Sequence, residues 1–314
     1  AGQQPSEGYA QNNSIVSTSN VFSEFYDCGS PKNPLGGLAR KTFFLKNMMS
    51  GRESILIDAG NSLFDSNKIN PDNLSIENKK FKAKNFVKTL EFLGQDVVNI
   101  GSNDFKGGLD FLIDITKDSS VHFISANLYD KSTNSLLFKP YHIIEKDGSK
   151  IAFIGLSQSA RFNSVINKNF IDEGNKYISE LKSSVDIIVM LINVLDENII
   201  DLSQSFANAD YIFLSGSTKR TEPRTRQSES GALVYSGGIQ GKHLSIVDIR
   251  IKDSNKAIND VSAPFNRLQE IDYRLNRLQA KNPSIPLEEL YANQPNVLDL
   301  SLIHISEPTR PERI

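Results

Sequence analysis

Five short polar segments follow apolar runs along the chain, and they hold the residues best suited to chemistry. The segments are TSNVFS (residues 18–23), DAGNS (58–62), GSNDFK (101–106), LINV (191–194) and SGSTKR (215–220). Because α/β sheets bind ligands at the carboxyl ends of their strands, these segments predict one shared site. Their amide, hydroxyl and carboxylate oxygens are cation ligands, whereas their lysine and arginine side chains favour an anion such as a phosphate.

The elements that must position these segments alternate between strand and helix patterns. Apolar runs such as ILIDAG, DVVNIG, KIAFIGLS and DIIVMLINV are separated by the helix-like stretches GGLARKTFFLKNMM, NKKFKAKNFVKTLEFLG, NKYISELKSS and ENIIDLSQSFANA. This alternation predicts an α/β core. The last three apolar runs, DYIFLSG, ALVYSGG and LSIVDIRI, lack long crossovers, so we expect antiparallel or mixed pairing there.

Composition excludes several classes of protein. The chain has 314 residues, 39% of them hydrophobic, and its formal net charge of −2 gives no electrostatic footprint for nucleic acid. No window approaches the ~20 consecutive apolar residues that span a bilayer. The polar start AGQQPSEGYAQNNS is typical of a flexible mature N-terminus after signal removal, so we expect a flexible segment at residues 1–13 and a periplasmic or extracellular protein.

The five segments, in this order, resemble the metal-binding motifs of the calcineurin-like metallophosphoesterases. GGLARK, LIDAGNSLF, VVNIGSNDF, FISANL and SGGIQGKHLSIVDI are similar to the 5′-nucleotidase branch, over residues 14–252. The resemblance implies an α/β/β/α sandwich of two sheets flanked by helices. It also implies hydrolysis of phosphate esters by a hydroxide held on two metal ions.

Compared position by position, the side chains have departed from the family's ligands. The replaced metal-ligand positions are Asn20, Phe22, Asn61, Ser102, Asn103, Asn193, Ser217 and Lys219. Asn103 also occupies the position of the family's catalytic His. Lys106 occupies the position of the Asp that orients this His. Phe22 offers no lone pair, and Lys219 would repel a metal ion. We therefore predict no binuclear centre, no cofactor and a catalytically inactive binding or structural module.

Two interpretations of the residual pocket stay open. Its polar residues are either what a vacated site retains, or Lys106, Lys219 and Arg220 replace the metal ions as fixed cations and bind an anion. The alternative function is an active phosphohydrolase of the 5′-nucleotidase type whose metal site tolerates the substitutions.

The segment EFYDCGSPKNPLGGLAR contains the single cysteine, Cys28. It resembles a subgroup of exported 5′-nucleotidase-like proteins that carry Cys-Gly-Cys before NPLGGLAR and are often encoded near multihaem cytochromes. Here Ser30 replaces the second cysteine, and no CxxCH motif attaches c-type haem. Cys28 is a buried small residue, an intermolecular link or a functional thiol. The turn-rich loop predicts a protein partner, with a multihaem cytochrome as candidate, at Cys28 and Pro31.

Residues 253–299 predict a helical extension. Leu268, Ile271, Leu275 and Leu278 form an apolar seam of two heptads, which either packs on its own domain or contacts a partner. After it, LSLIHISEPTRP resembles the in-frame translation of a sequencing-library adapter. We therefore expect residues 300–314 to be a non-native tail with few core contacts, and the native C-terminus to differ.

Overall fold

The computed structural model describes residues 13–30, 32–50, 54–65, 73–159, 162–194, 202–217, 219–222, 225, 227–228, 230–249 and 258–294. The tail at residues 300–314, and residues 1–12 of the expected flexible segment, lie outside the described residues. The described residues belong to two compact units. The first holds residues 13–221 and 228–249, and the second holds residues 258–294 with those described between 222 and 227.

The strands of the described part are β1 (Asn13–Thr18), β2 (Cys28–Ser30), β3 (Asn33–Leu35), β4 (Ser54–Asp58), β5 (Val97–Asn99), β6 (His122–Ile124), β7 (Leu128–Asp130), β8 (Tyr141–Lys146), β9 (Ser149–Ser157), β10 (Val165–Asn167), β11 (Ile187–Asn193), β12 (Tyr211–Ser215), β13 (Leu233–Ser236) and β14 (Ser245–Ile249). The helices are α1 (Leu38–Met48), α2 (Asn73–Phe92), α3 (Leu109–Thr116), α4 (Phe170–Leu181), α5 (Leu202–Ser205), α6 (Ser262–Gln279) and α7 (Leu287–Leu290), with a 3-10 helix at Ser102–Gly107.

Two five-stranded sheets form the first unit. One has the order β14-β1-β4-β5-β6, in which β1, β4, β5 and β6 are parallel and β14 is antiparallel to β1. The other has the order β13-β12-β11-β9-β8, in which only β8 runs antiparallel to its neighbour. Runs of parallel strands bring the carboxyl ends of β1, β4 and β5 to one edge, and those of β11 and β12 to another.

The last three apolar runs pair in mixed directions, as expected. β13 pairs parallel to β12, because residues 216–232 form a connection long enough to return the chain to the same end of the sheet. β14 instead leaves this sheet and pairs antiparallel to β1 at the edge of the other.

Apolar layers hold the sandwich together. Phe86 of α2 and Leu112 of α3 pack with Val98 of the first sheet, and Ile178 of α4 packs with Ile154 of the second. Strands such as Ile187–Asn193 are buried throughout, as expected of strands covered on both faces. The sheets also meet directly, through hydrogen bonds described below. The predicted α/β/β/α sandwich is confirmed.

In the second unit, α6 confirms that the predicted extension contains a helix. Ile271 is buried, the other three seam residues are half-buried, and Tyr273 on another side of the helix is 69% exposed. The hydroxyl of the buried Tyr291 donates to the carbonyl of Leu278 at 3.3 Å. Whether the seam also contacts a partner stays a prediction. None of the helices in the described residues combines the length and apolarity needed to cross a membrane.

Candidate functional site

The loop after β1 and the loop after β4 meet through their side-chain amides. Asn61 donates through Nδ2 to Oδ1 of Asn20 at 3.1 Å, and the backbone N–H of Gly216 donates to the same oxygen at 2.8 Å. Asn20 in turn donates through Nδ2 to the carbonyls of Ser217 and Gly238, both at 2.9 Å. Both asparagines are buried. Since a backbone N–H only donates, the Gly216 contact fixes which atom of the Asn20 amide is the oxygen.

Two amides cap the 3-10 helix at Ser102–Gly107. Its first backbone N–H groups come from Ser102 and Asn103, and helix N-termini leave such donors without partners inside the helix. Oδ1 of Asn193 accepts from Ser102 at 2.9 Å, and Oδ1 of Asn61 accepts from Asn103 at 3.0 Å. Both amide oxygens are therefore committed to backbone donors.

A hydrogen-bonded chain at the same place joins the two sheets. Nδ2 of Asn193 donates to the hydroxyl of Ser215 at 2.8 Å, and that hydroxyl donates to the carbonyl of Ala59 at 2.7 Å. Nearby, Nδ2 of Asn99 donates to the carbonyls of Ala59 and Leu156 at 3.0 and 2.9 Å. The structure thus brings the five polar segments together, mostly through bonds between neutral groups.

The first two loops hold four residues other than glycine in the left-handed region. The φ angles are 51° at Asn20, 58° at Phe22, 52° at Ser23 and 59° at Asn61. Asparagine tolerates this conformation, whereas a bulky residue such as Phe22 adopts it rarely and at a cost of about 1–3 kcal/mol. Inter-loop bonds hold it in place, among them the N–H of Phe22 to the carbonyl of Asn61 at 3.1 Å.

Asp104 ties the loop after β4 to the 3-10 helix. Its carboxylate accepts from the backbone N–H groups of Gly101 at 2.8 Å, Leu63 at 2.9 Å and Asn61 at 3.2 Å. Burial raises the pKa of Asp104 to about 7, although these hydrogen bonds pull it down. Asp104 is not among the site residues predicted from the sequence, yet an acid three residues after Gly101 is a helix-start signal that identifies it.

Asp58 is the other carboxylate of the site. It accepts from the hydroxyls of Thr18 and Ser62, both at 2.6 Å, and from the N–H of Gly60 at 2.8 Å. Burial raises its pKa, while these bonds and the charge of Lys41 oppose the shift. The pKa of Lys41 shifts in the opposite direction, because burial of its ammonium group lowers it. Each of the two aspartates thus accepts three hydrogen bonds within the site.

The three cations proposed for an anion site have different surroundings. The ammonium group of Lys106 donates to the carbonyl of Asp65, and burial lowers its pKa. Nη1 of Arg220 lies 3.0 Å from Nδ1 of His243, and Lys219 is exposed. A joint anion site of these three residues stays a prediction.

Metal ligands of the usual kind are not clustered. Among the residues that the structure describes, no three His, Cys, Asp or Glu side chains are placed to hold a metal ion. His122 and His142 stack on each other with ring centroids 3.5 Å apart, and neither belongs to the five segments. His304 lies outside the described residues.

Cys28 sits in the short hairpin of β2 and β3, paired with Leu35. Its Sγ donates to the carbonyl of Leu35 at 3.4 Å and lies 4.0 Å from Oε1 of Gln240. The backbone N–H of Gln240 donates to the carbonyl of Asn20 at 2.8 Å. The hairpin therefore borders the side-chain amides of Asn20, Asn61 and Asn193, here called the amide cluster. Pro31, the other predicted contact residue, lies outside the described residues.

Sequence comparison finds phosphoesterase relatives for part of the chain. A 5′-nucleotidase of Vibrio cholerae is 33% identical over 118 residues, 34% of this chain and 21% of that protein. A 2′,3′-cyclic-nucleotide 2′-phosphodiesterase/3′-nucleotidase of Salmonella typhimurium is 26% identical over 207 residues, 54% of this chain and 32% of that protein. The matches therefore span a third or less of these relatives' lengths. No protein-family model matches the chain.

Solved structures share the fold. The calcineurin-like phosphoesterase YfkN of Bacillus subtilis superposes with a TM-score of 0.63 at 18% identity, covering 80% of this chain and 88% of that one. A 5′-nucleotidase precursor of Thermus thermophilus superposes with a TM-score of 0.61 at 17% identity, covering 86% of this chain and 60% of that one. In sequence, part of the chain is thus similar to 5′-nucleotidases, and in structure the chain has the fold of calcineurin-like phosphoesterases.

Proposed function

We propose that this protein is a catalytically inactive metallophosphoesterase-like protein of the 5′-nucleotidase type, acting as a secreted binding or structural module. The observation that carries the proposal is the hydrogen bond from Asn61 to Asn20. By the resemblance, Asn20 and Asn61 stand where the family carries aspartate ligands, and here they are neutral amides that bind each other. Two dications need several anionic or imidazole ligands, which these residues do not supply.

The oxygens at these positions are also already in use. Oδ1 of Asn20 accepts two hydrogen bonds, and those of Asn61 and Asn193 each cap a backbone N–H of the 3-10 helix. A metal ion at these oxygens would compete with those donors, and each donor that lost its acceptor inside the protein would cost about 1–3 kcal/mol. The residues present therefore do not fit a binuclear centre.

The two buried aspartates do not compensate for the missing ligands. Asp58 and Asp104 each already accept three hydrogen bonds from the loops and strand ends around them. A pKa of about 7 leaves Asp104 partly protonated near neutral pH, which weakens it further as a metal ligand.

The rival function is an active phosphohydrolase of the 5′-nucleotidase type. Elemental analysis after incubation with Mn²⁺, Co²⁺ or Zn²⁺, with an assay on 5′-AMP and p-nitrophenyl phosphate, separates the two. We expect less than one bound ion per chain and no hydrolysis above buffer. Two ions per chain, with hydrolysis that Asn61→Ala abolishes and the exposed-site control Asn134→Ala retains, would overturn the proposal.

Anion binding by the former metal site is a separate possibility within the proposal. Lys106, Lys219 and Arg220 are its candidate residues, and a titration with inorganic phosphate tests it. Saturable binding that Lys219→Ala weakens supports the fixed-cation interpretation. Binding that is absent, or unchanged in the variant, leaves the vacated-site interpretation.

The proposed partner is a protein outside the cytoplasm, with a multihaem cytochrome as one candidate. This rests on the resemblance of the Cys28 segment and on the position of its hairpin beside the amide cluster. Co-purification from the native source, followed by the haem absorbance, tests it. Loss of the haem signal with Cys28→Ser would implicate the thiol, and a haem-free preparation would remove this candidate.

A further inference from the structure

An open groove lies between α1 and the segment of residues 241–246, within the first unit. It has a volume of about 700 Å³. Phe44 and Leu244 form its floor, since both pack on the buried cluster of Val16, Met49 and Leu56. At the rim, Phe43 is 67% exposed and Ile246 is 39% exposed. A concave surface with exposed aromatic and aliphatic side chains is typical of a docking site.

The charge around the groove is of one sign. Arg40 and Lys242 line it, and no Asp or Glu is among the described lining residues. Neither cation makes a hydrogen bond or ion pair through its side chain within the part of the chain that the structure describes. The third lining cation, Lys41, turns its ammonium group inward and donates to Oε1 of Gln95 at 3.0 Å. The side chains of Arg40 and Lys242 are thus available to bind an anionic group.

One wall of the groove is well defined before any partner arrives. Gly36 and Gly37, which follow β3, have φ angles of 73° and 81° and line the groove. A Cβ on Gly36 would lie 2.7 Å from the carbonyl oxygen of Gln240, so backbone packs directly on backbone there. A wall of this kind lowers the ordering cost of binding.

We propose that this groove binds an acidic segment of a protein partner, with an aromatic or aliphatic side chain on the floor and carboxylates at Arg40 and Lys242. Arginine and aromatic residues are the groups that dominate protein interfaces, and here they adjoin. Two cations beside a concave apolar floor suit a peptide better than a flat anionic membrane, which needs a larger basic cluster. The proposal rests on the role of a binding module, but not on the state of the amide cluster.

A displayed library of short random peptides, selected on the full chain, tests the proposal. We expect enriched peptides that carry net negative charge and an aromatic or leucine residue. A synthetic representative should bind about 10-fold or more weakly to the triple variant Arg40→Glu, Phe43→Ser, Lys242→Glu, because both charge attraction and apolar contact are lost. The matched control Lys88→Glu, Phe92→Ser alters an exposed cation and aromatic on α2 and should bind as the wild type does.

Other outcomes would overturn the proposal. These are enrichment that the triple variant retains, or enriched peptides that are neutral or basic. Binding to vesicles of equal parts phosphatidylcholine and phosphatidylserine, or self-association of the chain, would assign the groove to a membrane or a second copy if the triple variant abolished it. Phosphatase activity is measured on the same proteins. Activity with intact peptide binding would refute the proposed function and leave the groove proposal standing.

Discussion

The side-chain amide of Asn61 donates to the side-chain oxygen of Asn20 at 3.1 Å, linking the loops that follow β4 and β1. Neither partner can be removed cleanly, because the oxygen of Asn61 also caps the N–H of Asn103 and that of Asn20 also accepts from Gly216. Both asparagines therefore have a structural use, because their side chains hold together two loops whose backbone is strained.

Replacing either asparagine by alanine should lower the free energy of unfolding by about 1–3 kcal/mol, because buried donors lose their acceptors. The double variant should lose less free energy of unfolding than the two single variants lose together, with a coupling energy of roughly 1 kcal/mol. Urea unfolding of the four proteins measures both quantities. Asn134→Ala is the control, because Asn134 also has a positive φ, 52°, but is exposed. Its replacement should lower stability only through the strain of alanine in the left-handed backbone conformation. Additive effects of Asn20→Ala and Asn61→Ala would contradict the pairing.

Asp104 should make the protein less stable as the pH rises from about 4 to about 7. Its pKa is about 7 when folded and 3.8 in its ordinary state, so the folded chain binds more protons within this window. One such group contributes at most about 1.4 kcal/mol of lost stability per pH unit. Asp104→Asn should abolish that contribution, although it also lowers stability by disturbing three hydrogen bonds.

Urea midpoints measured across this window compare the slopes of the two proteins. Asp114→Asn is the control, because Asp114 is exposed and its pKa is lowered by the hydrogen bond from Lys117 rather than raised. Equal slopes in the wild type and Asp104→Asn would show that Asp104 does not titrate in this range.

The fold was predictable where the pattern was strong, and the errors have identifiable causes. The apolar runs that became β4, β9, β11 and β12 are long or fully buried and were recognised. β8 was missed, although Asp147 and Gly148, with φ angles of 48° and 74°, form the turn to β9 and the Asp-Gly pair is a hairpin signal. The pairing of the last three runs is mixed as expected, but the sequence did not indicate that β13 is the parallel strand, because the connection before it has no clear helical pattern.

The convergence of the polar segments was predictable from topology, but their partners were not. Parallel strands place Asn20 and Asn61 at the same sheet edge whatever their side chains are. Which amide oxygen meets which N–H depends on loop geometry at the level of tenths of an ångström, and that is absent from residue pattern. The use of Asn193 and Asn61 as caps for the 3-10 helix therefore needed the structure.

Acid should weaken the contact between His122 and His142. Burial, followed by the charges of His122 and Lys139, lowers the pKa of His142 to about 4. The unfolded chain therefore binds more protons below a pH of about 6.5, and stability falls as the pH drops from there towards 4. This trend is opposite in sign to that of Asp104. His142 is partly solvated, so screening reduces the effect.

His142→Phe keeps a ring against His122 but cannot be protonated, so the acid-induced loss of stability should shrink in this variant. Urea midpoints at acidic and neutral pH measure the difference, and His142→Gln separates loss of the charge from loss of the ring. If both variants showed the same dependence of the urea midpoint on pH as the wild type, the stacked pair would be excluded as the source of the acid-induced loss of stability.

Gly36 should tolerate alanine far less well than Gly94, although both have a positive φ, 73° and 68°. An added Cβ at Gly94 meets nothing within 4 Å, so Gly94→Ala should cost only the left-handed backbone term of about 1–2 kcal/mol. At Gly36 the Cβ would lie 2.7 Å from the carbonyl oxygen of Gln240, whose N–H donates to Asn20. Gly36→Ala should therefore lose more stability in urea unfolding and also weaken peptide binding in the groove. Equal losses in the two variants would show that the wall can move, and that the groove is not preformed.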